Sequence, residues 1–392
     1  MREKLLVISY RAPYPIKSGD KIRMFQNVRI LSLNYDVDLV YVDDNLENED
    51  IKELEKYCNT VTKFKMSRVE SIFSGIFNFI FKSWPLQVGY FHSSKMKKWI
   101  DKNISSYDKV FCNHLRSSSF ILNKKGIKKY VDCVDAISLN YENKVKSCKG
   151  LERLVYSLEL KKVKKYEQEI YSSFDVLFII SMRDKEYINN LKFSKEPKLL
   201  YNYVRDLGYD ESKSITSTTN KSVCFIGKMS TEPNVNATMY FVNKIYPKVK
   251  KVYPDFEFNI IGGNATKEIS SLSNIDGINV HGFVDDVAGL IQEQRLVVAP
   301  MVSGSGLQNK IIESMKLKKM VITTKIGSDG LTGLKGNELV IADNTDDFID
   351  KLVYYLDDEN SNDLNNIAAE GKKYVEKTYS FETVKKQLLD EL

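Results

Sequence analysis

Short apolar runs alternate with stretches of helical period along almost the whole chain. Lys4 to Ser9 (K-L-L-V-I-S), Val37 to Val42, Tyr107 to Cys112, Tyr130 to Val134 and Val176 to Ile180 are apolar runs of strand length in the first half. Ser222 to Ile226, Phe256 to Ile261, a run around Val280, Leu296 to Ala299, Val321 to Thr324 and Leu339 to Ile341 repeat the pattern in the second. Runs this short and this apolar, closed by Gly, Pro or Asp, are those of strands buried on both faces. Between them the period lengthens to that of helices: from near Asp20, over Leu151 to Phe174, from Pro233, through Ile311, Ile312 and Met315, and over Ser361 to Leu392, with a last helix starting at Tyr379 to Glu382. Such alternation predicts an α/β protein with parallel sheets covered by helices. A chain of 392 residues is too long for one core, so two such domains are expected. The Ser/Thr/Asn run from Asp210 to Ser222 reads as their connection.

One stretch departs from the alternation. Ser71 to Phe91 (S-I-F-S-G-I-F-N-F-I-F-K-S-W-P-L-Q-V-G-Y-F) is apolar, but Lys82 and Pro85 break it. That leaves it short of the roughly 20 apolar residues a membrane span needs. Two readings stay open: a core helix closed by Trp84-Pro85, or an interfacial element with Lys63, Lys65, Arg68, Lys95, Lys97 and Lys98 beside it.

Candidate chemistry centres on Val297 to Met315, V-V-A-P-M-V-S-G-S-G-L-Q-N-K-I-I-E-S-M, which reads as strand, glycine loop and helix. Glycines let backbone approach a ligand, and the first amides of a helix suit an anion. Lys310 and Glu313 share one face of the first turn. The cation suits a phosphate and the carboxylate a pair of sugar hydroxyls; the alternative is an α/β turn that needs glycine only for its angles.

The run P-x-x-x-G-x-G-x-x-N-K-x-x-E-x-M, with M-V-I-T-T and G-S-D-G-L after it, resembles the donor-binding region of GT-B glycosyltransferases, most closely glycosyltransferase family 4. The resemblance is closest over residues 222–331, looser over 4–141, and weak between. It implies two Rossmann-like parallel-sheet domains facing a central cleft: residues 1–205 for the acceptor, 206–375 for a nucleotide-sugar donor, and 376–392 as a helix crossing back to the first. Glu313 would then bind the ribose, and Gly227, Lys228, Gly304, Ser305, Gly306, Leu307 and Lys310 would surround the diphosphate. Lys228 stands where the family has a cation after a glycine, although the lysine often found five positions later is Pro233 here. Many members carry a glutamate where this chain has Ser305, which leaves the donor sugar open.

In the first half, P-Y-P-x-x-x-G-D-x-I-R resembles the family's N-terminal glycine loop, matched by Gly19, Asp20 and Arg23. His114, at the end of a strand, would face the donor sugar; its alternative is a structural histidine. Asp132, Asp135 and Ser138 lie in V-D-C-V-D-A-I-S-L-N, which also resembles a family segment; helix capping is the alternative for both aspartates. The catalytic set implied is His114, Asp135, Lys228 and Lys310, with no residue assigned as general base. Asp285-Asp286, in G-F-V-D-D, reads as a helix cap rather than a metal pair.

Charge and cysteines narrow the setting. Residues 1–200 hold 36 Lys or Arg against 25 Asp or Glu, a net +11, and the remainder holds 22 against 27, a net −5. A basic first half suits anionic lipid or a phosphorylated acceptor, and no nucleic-acid module accompanies it. Five scattered cysteines without a C-x-x-C pair point to a reducing cytoplasm, and three separated histidines offer no metal set. M-R-E-K-L-L-V-I-S-Y enters a strand directly, without a signal-peptide apolar region. The expectation is a retaining, hexosyltransferase-like enzyme without cofactor or metal. It would move a sugar from a nucleotide-diphosphate sugar to a saccharide or lipid-linked saccharide acceptor in bacterial surface or exopolysaccharide biosynthesis. It would work in the cytoplasm, peripherally on the inner membrane face. A sugar-nucleotide epimerase of the same fold and a non-catalytic scaffold are the rivals.

Overall fold

The computed structural model describes residues 2–16, 18–43, 48–205, 220–304 and 306–392. The expected connection from Asp210 to Ser222 lies almost wholly outside the described residues, as does Ser305. By its internal contacts the chain divides into two units, Met1–Asn202 with Val384–Leu392, and Tyr203–Thr383.

The first unit is built on seven strands: β1 (Lys4–Ser9), β2 (Asp36–Asp43), β3 (Thr60–Lys65), β4 (Lys109–Asn113), β5 (Lys128–Val134), β6 (Val176–Ile179) and β7 (Lys198–Leu199). They pair in parallel in the order β3-β2-β1-β4-β5-β6-β7. Leu6, Ile8, Val110, Cys112, Val131 and Ile179 form the centre of its core, buried from both faces as the uniform apolar runs predict. β3 was not expected: T-V-T-K-F-K alternates only weakly and is half-buried, the signature of an edge strand. The C-terminal segment packs with this unit. Tyr130 Oη donates to the Leu392 carbonyl at 3.1 Å, and the Tyr201 amide donates to Gln387 Oε1 at 3.3 Å.

The second unit has six parallel strands, β8 (Ser222–Ile226), β9 (Glu257–Ile261), β10 (Ile278–Gly282), β11 (Leu296–Ala299), β12 (Val321–Thr324) and β13 (Val340–Ala342). Their order is β10-β9-β8-β11-β12-β13. Val223, Phe225, Phe258, Val298 and Ile322 lie in its core. In each sheet the order reverses once, between β1 and β4 and between β8 and β11. Open α/β sheets bind ligands in the crevice beyond the strand carboxyl ends at such a reversal.

Ser71 to Phe91 forms two helices, Arg68–Phe81 and Leu86–Tyr90, and the first is not a core helix. Its Ser67–Glu70 capping box fixes the start, and Ser71, Gly75 and Asn78 form its buried row. A Cβ on Gly89 would stand 3.0 Å from both the Gly75 Cα and the Asn78 Cβ, so small residues let the two helices close on each other. The row left outside is Val69, Ile72, Phe73, Ile76, Phe77, Ile80 and Phe81.

Candidate functional site

β8 ends in Gly227-Lys228 and β11 runs into the glycine loop before helix Asn309–Lys316. Ile311, Ile312 and Met315 anchor that helix by burial, as their spacing predicts, while Lys310 and Glu313 lie half-buried in its first turns. The Lys310 ammonium donates to Asn234 Oδ1 at 2.5 Å and lies 4.8 Å from the centre of the Phe225 ring. Asn234 Nδ2 in turn donates to the Lys228 carbonyl at 3.1 Å. One amide side chain therefore couples the ends of the two central strands. Gly227 is required for it: a Cβ there would come within 2.5 Å of Asn234 Nδ2. In the loop, Gly304 and Gly306 hold φ of +121° and +74°, values that favour glycine.

Burial alone pushes the Lys310 ammonium down to about 8, and no carboxylate among the described residues offsets it. Lys228 is exposed and makes no ion pair among the described residues. Two cations thus stand at the reversal point, one of them desolvated, beside the positive end of a helix. That arrangement suits a polyanion. Glu313 Oε1 accepts from Arg205 Nε at 3.2 Å and Nη2 at 2.9 Å. Asn234 and Arg205 are the residues sequence reasoning missed. P-N-V-N-A marked only a helix start, and nothing around Arg205 carries a motif. Leu307 is half-buried in the loop beside Gly330.

In the first unit the strand ends hold a buried polar network. Arg23, 2% exposed, binds Asp132 through Nε to Oδ2 at 2.6 Å and Nη2 to Oδ1 at 2.8 Å, and reaches Asn202 Oδ1 at 3.1 Å. Asn27 Nδ2 donates to Asp132 Oδ2 at 2.8 Å and to Asn113 Oδ1 at 3.0 Å. Arg23 and Asp132 are therefore committed to each other, and neither caps a helix. Gly19 opens helix Gly19–Leu31, and a Cβ there would meet nothing within 4 Å, so the fold itself does not demand glycine. Asp20 takes hydrogen bonds from Tyr10 and Arg11.

His114 and Asp135 follow β4 and β5, and strained backbone presents both. His114 has φ +71° and ψ 146°, and Val134, just before Asp135, has φ +68°. Non-glycine residues held in such conformations concentrate at functional sites. His114 Nδ1 accepts the Arg116 amide at 3.1 Å, which places its proton on Nε2. Burial, then Arg116, Arg11 and Arg23, hold the ring well below its ordinary value, so it is neutral. Burial first, and then Asp184, raise the Asp135 carboxyl to about 6. Asp286 is a helix cap as expected, Oδ1 accepting the Gly289 amide at 2.8 Å.

Residues 220–358 match the family described as Glycosyl transferases group 1. A Klebsiella pneumoniae protein described as an uncharacterized 44.6 kDa protein in the cps region is 26% identical, covering 97% of each chain. A mutant of S. aureus TarM, solved in complex with Fondaparinux, alpha-GlcNAc-glycerol and UDP, aligns over 99% of each chain at TM-score 0.69 and 14% identity. Anabaena Alr3699/HepE in complex with UDP and glucose aligns over 99% of each chain at TM-score 0.66 and 13% identity. The chain has the two-sheet fold of GT-B glycosyltransferases, and the stretch that matches the Glycosyl transferases group 1 family lies within its second unit.

Proposed function

We propose that the chain transfers a sugar from a nucleotide-diphosphate sugar to a saccharide acceptor, with retention at the anomeric carbon. The observation that supports this best is the pair of cations, Lys228 and Lys310, coupled through Asn234 where β8 and β11 diverge. In this reading the donor diphosphate lies against both ammonium groups and the first amides of helix Asn309–Lys316. Glu313 holds two ribose hydroxyls, with Arg205 aiming the carboxylate. The bond from the anomeric carbon to the leaving phosphate oxygen breaks with its electron pair going to that oxygen, so negative charge grows where the lysines stand. The acceptor hydroxyl bonds to the same carbon and loses its proton to the leaving phosphate.

His114 and Asp135 are assigned to the reacting sugar and the acceptor hydroxyl. His114 donates from Nε2 while remaining uncharged, and Asp135 takes its charge from the ionised state above about 6. A cavity of about 250 Å³ in the first unit, lined by Tyr10, Arg11, Lys21, Arg68, Tyr90 and Phe91, offers aromatic faces and cations to an acceptor that carries both sugar and phosphate. A lipid-linked saccharide in cell-surface polysaccharide assembly has that chemistry, and the likeness to a protein of a cps region supports the setting.

The test is a thermal-shift screen of nucleotide sugars, followed by release of free nucleoside diphosphate with lipid-linked acceptor. A ligand at 100 times its dissociation constant adds about 2.7 kcal/mol of stability. One donor should raise the melting temperature and yield nucleoside diphosphate with acceptor; a chain that no nucleotide or nucleotide sugar stabilises would be a scaffold.

A further inference from the structure

Helix Arg68–Phe81 is amphipathic the wrong way round. Ser71, Gly75 and Asn78 face the protein, while the row from Val69 to Phe81 at i, i+3, i+4, i+7 spacing faces out. Phe73 is 70% exposed, Phe77 55% and Phe81 72%. Scattered exposed apolar side chains are ordinary, but a continuous row of aliphatic and aromatic residues over four turns is not. The row is built in, because Gly75 packs against Gly89 so closely that no larger buried row would fit.

A second apolar row adjoins it. Helix Gly150–Ser173 meets the first helix where Lys162 Nζ donates to the Phe79 carbonyl at 2.5 Å and lies 3.9 Å from the Phe79 ring centre. On the turns before that contact, Leu151, Leu154, Val155 and Leu158 are exposed, again at i, i+3, i+4, i+7. Cations frame both rows. Residues 61–100 hold seven Lys or Arg and one acid, Glu70; residues 143–166 hold eight and two, Glu152 and Glu159. Glu70 is already spent in its helix cap, and Glu159 is buried on the Leu86 amide.

We propose that these two rows form a docking face for an anionic lipid surface, which rests on the proposed lipid-linked acceptor only for its purpose and not for its chemistry. Helix Arg68–Phe81 is about 21 Å long at 1.5 Å per residue, too short for a bilayer core of about 30 Å, so it lies in the interface. No helix among the described residues is long and apolar enough to cross a membrane. The rim cations, Lys65, Arg68 and Lys82 around one helix and Lys149, Arg153 and Lys161 around the other, then meet lipid phosphates. A second copy of the chain fits the face less well, because a two-fold contact sets each basic rim against itself.

The experiment is vesicle flotation of the full chain, without donor or acceptor, on phosphatidylcholine vesicles with and without phosphatidylglycerol, at low and high salt. Phe73→Ser/Phe77→Ser is the variant: both side chains are exposed, so an unchanged melting temperature is expected. Binding should require phosphatidylglycerol, weaken with salt, and fall about tenfold or more in the variant. No binding of the wild type to anionic vesicles at low salt would overturn the proposal, as would equal binding by the variant. A wild-type dimer in sedimentation velocity that the variant abolishes would reassign the face to a second copy. Because nucleotide binding plays no part in the assay, its outcome leaves the sugar-transfer reading to be judged separately.

Discussion

Lys310→Met separates the folding cost of the candidate site from its binding role. Methionine keeps the unbranched length and drops the charge. Burial lowers the ammonium from an ordinary 10.5 to about 8, and each unit is worth about 1.4 kcal/mol, so keeping it charged at neutral pH costs the fold about 3 kcal/mol. Against this stands the 2.5 Å bond to Asn234 Oδ1, whose stranding costs about 1–3 kcal/mol. The variant should therefore be as stable as the wild type or up to about 2 kcal/mol more stable at neutral pH. The sign with pH follows from linkage. Between about 8 and 10.5 the unfolded chain holds a proton that the folded chain has released, so the wild type gains stability as pH rises through that window. The variant lacks this gain. Lys319, also held near 8 by burial, adds the same slope to both proteins, so their difference isolates Lys310. Urea unfolding of both proteins from about pH 7 to about pH 10 measures it. Parallel stability curves, or a variant destabilised by more than about 2 kcal/mol, would refute the reasoning.

Glu313→Ala should weaken nucleoside-diphosphate binding by about 1.5–3 kcal/mol while leaving the melting temperature nearly unchanged, since its ion-pair partner is an exposed arginine; calorimetric titration reads it. For Asp135 the folded carboxyl titrates near 6, above its unfolded value, so the wild type loses up to about 3 kcal/mol as pH rises from about 4 to about 6. Asp135→Asn should flatten that fall in pH-dependent urea midpoints. Arg23→Leu strands the buried Asp132 carboxylate and should cost roughly 3–5 kcal/mol at neutral pH. Urea midpoints read the loss, and a variant as stable as the wild type would refute it.

Strand–helix alternation was legible because parallel strands buried on both faces leave uniform apolar runs, and Lys4–Ser9, Ser222–Ile226, Leu296–Ala299 and Val321–Thr324 fall where those runs do. β3 was lost because an edge strand needs no such run. The Lys310 and Glu313 positions were readable from spacing within a single helix, whereas Asn234 and Arg205 act across the fold and carry no local pattern. Arg23 shows the opposite failure. A motif placed it near a ligand, but its guanidinium matches Asp132, far away in sequence, and the pair is buried. Helix Arg68–Phe81 had a clear helical period, yet periodicity does not tell which face points inward. The small residues Gly75 and Gly89 decide that, through a contact between two helices.

The central claim is that Lys228 and Lys310 together hold a diphosphate. Calorimetric titration of a nucleoside diphosphate into the wild type and into Lys228→Ala/Lys310→Met, near neutral pH, tests it most directly. Saturable binding by the wild type, weakened about a hundredfold or more in the double variant with the melting temperature of the free protein preserved or raised, is the predicted result. Equal affinity in the two proteins would contradict it.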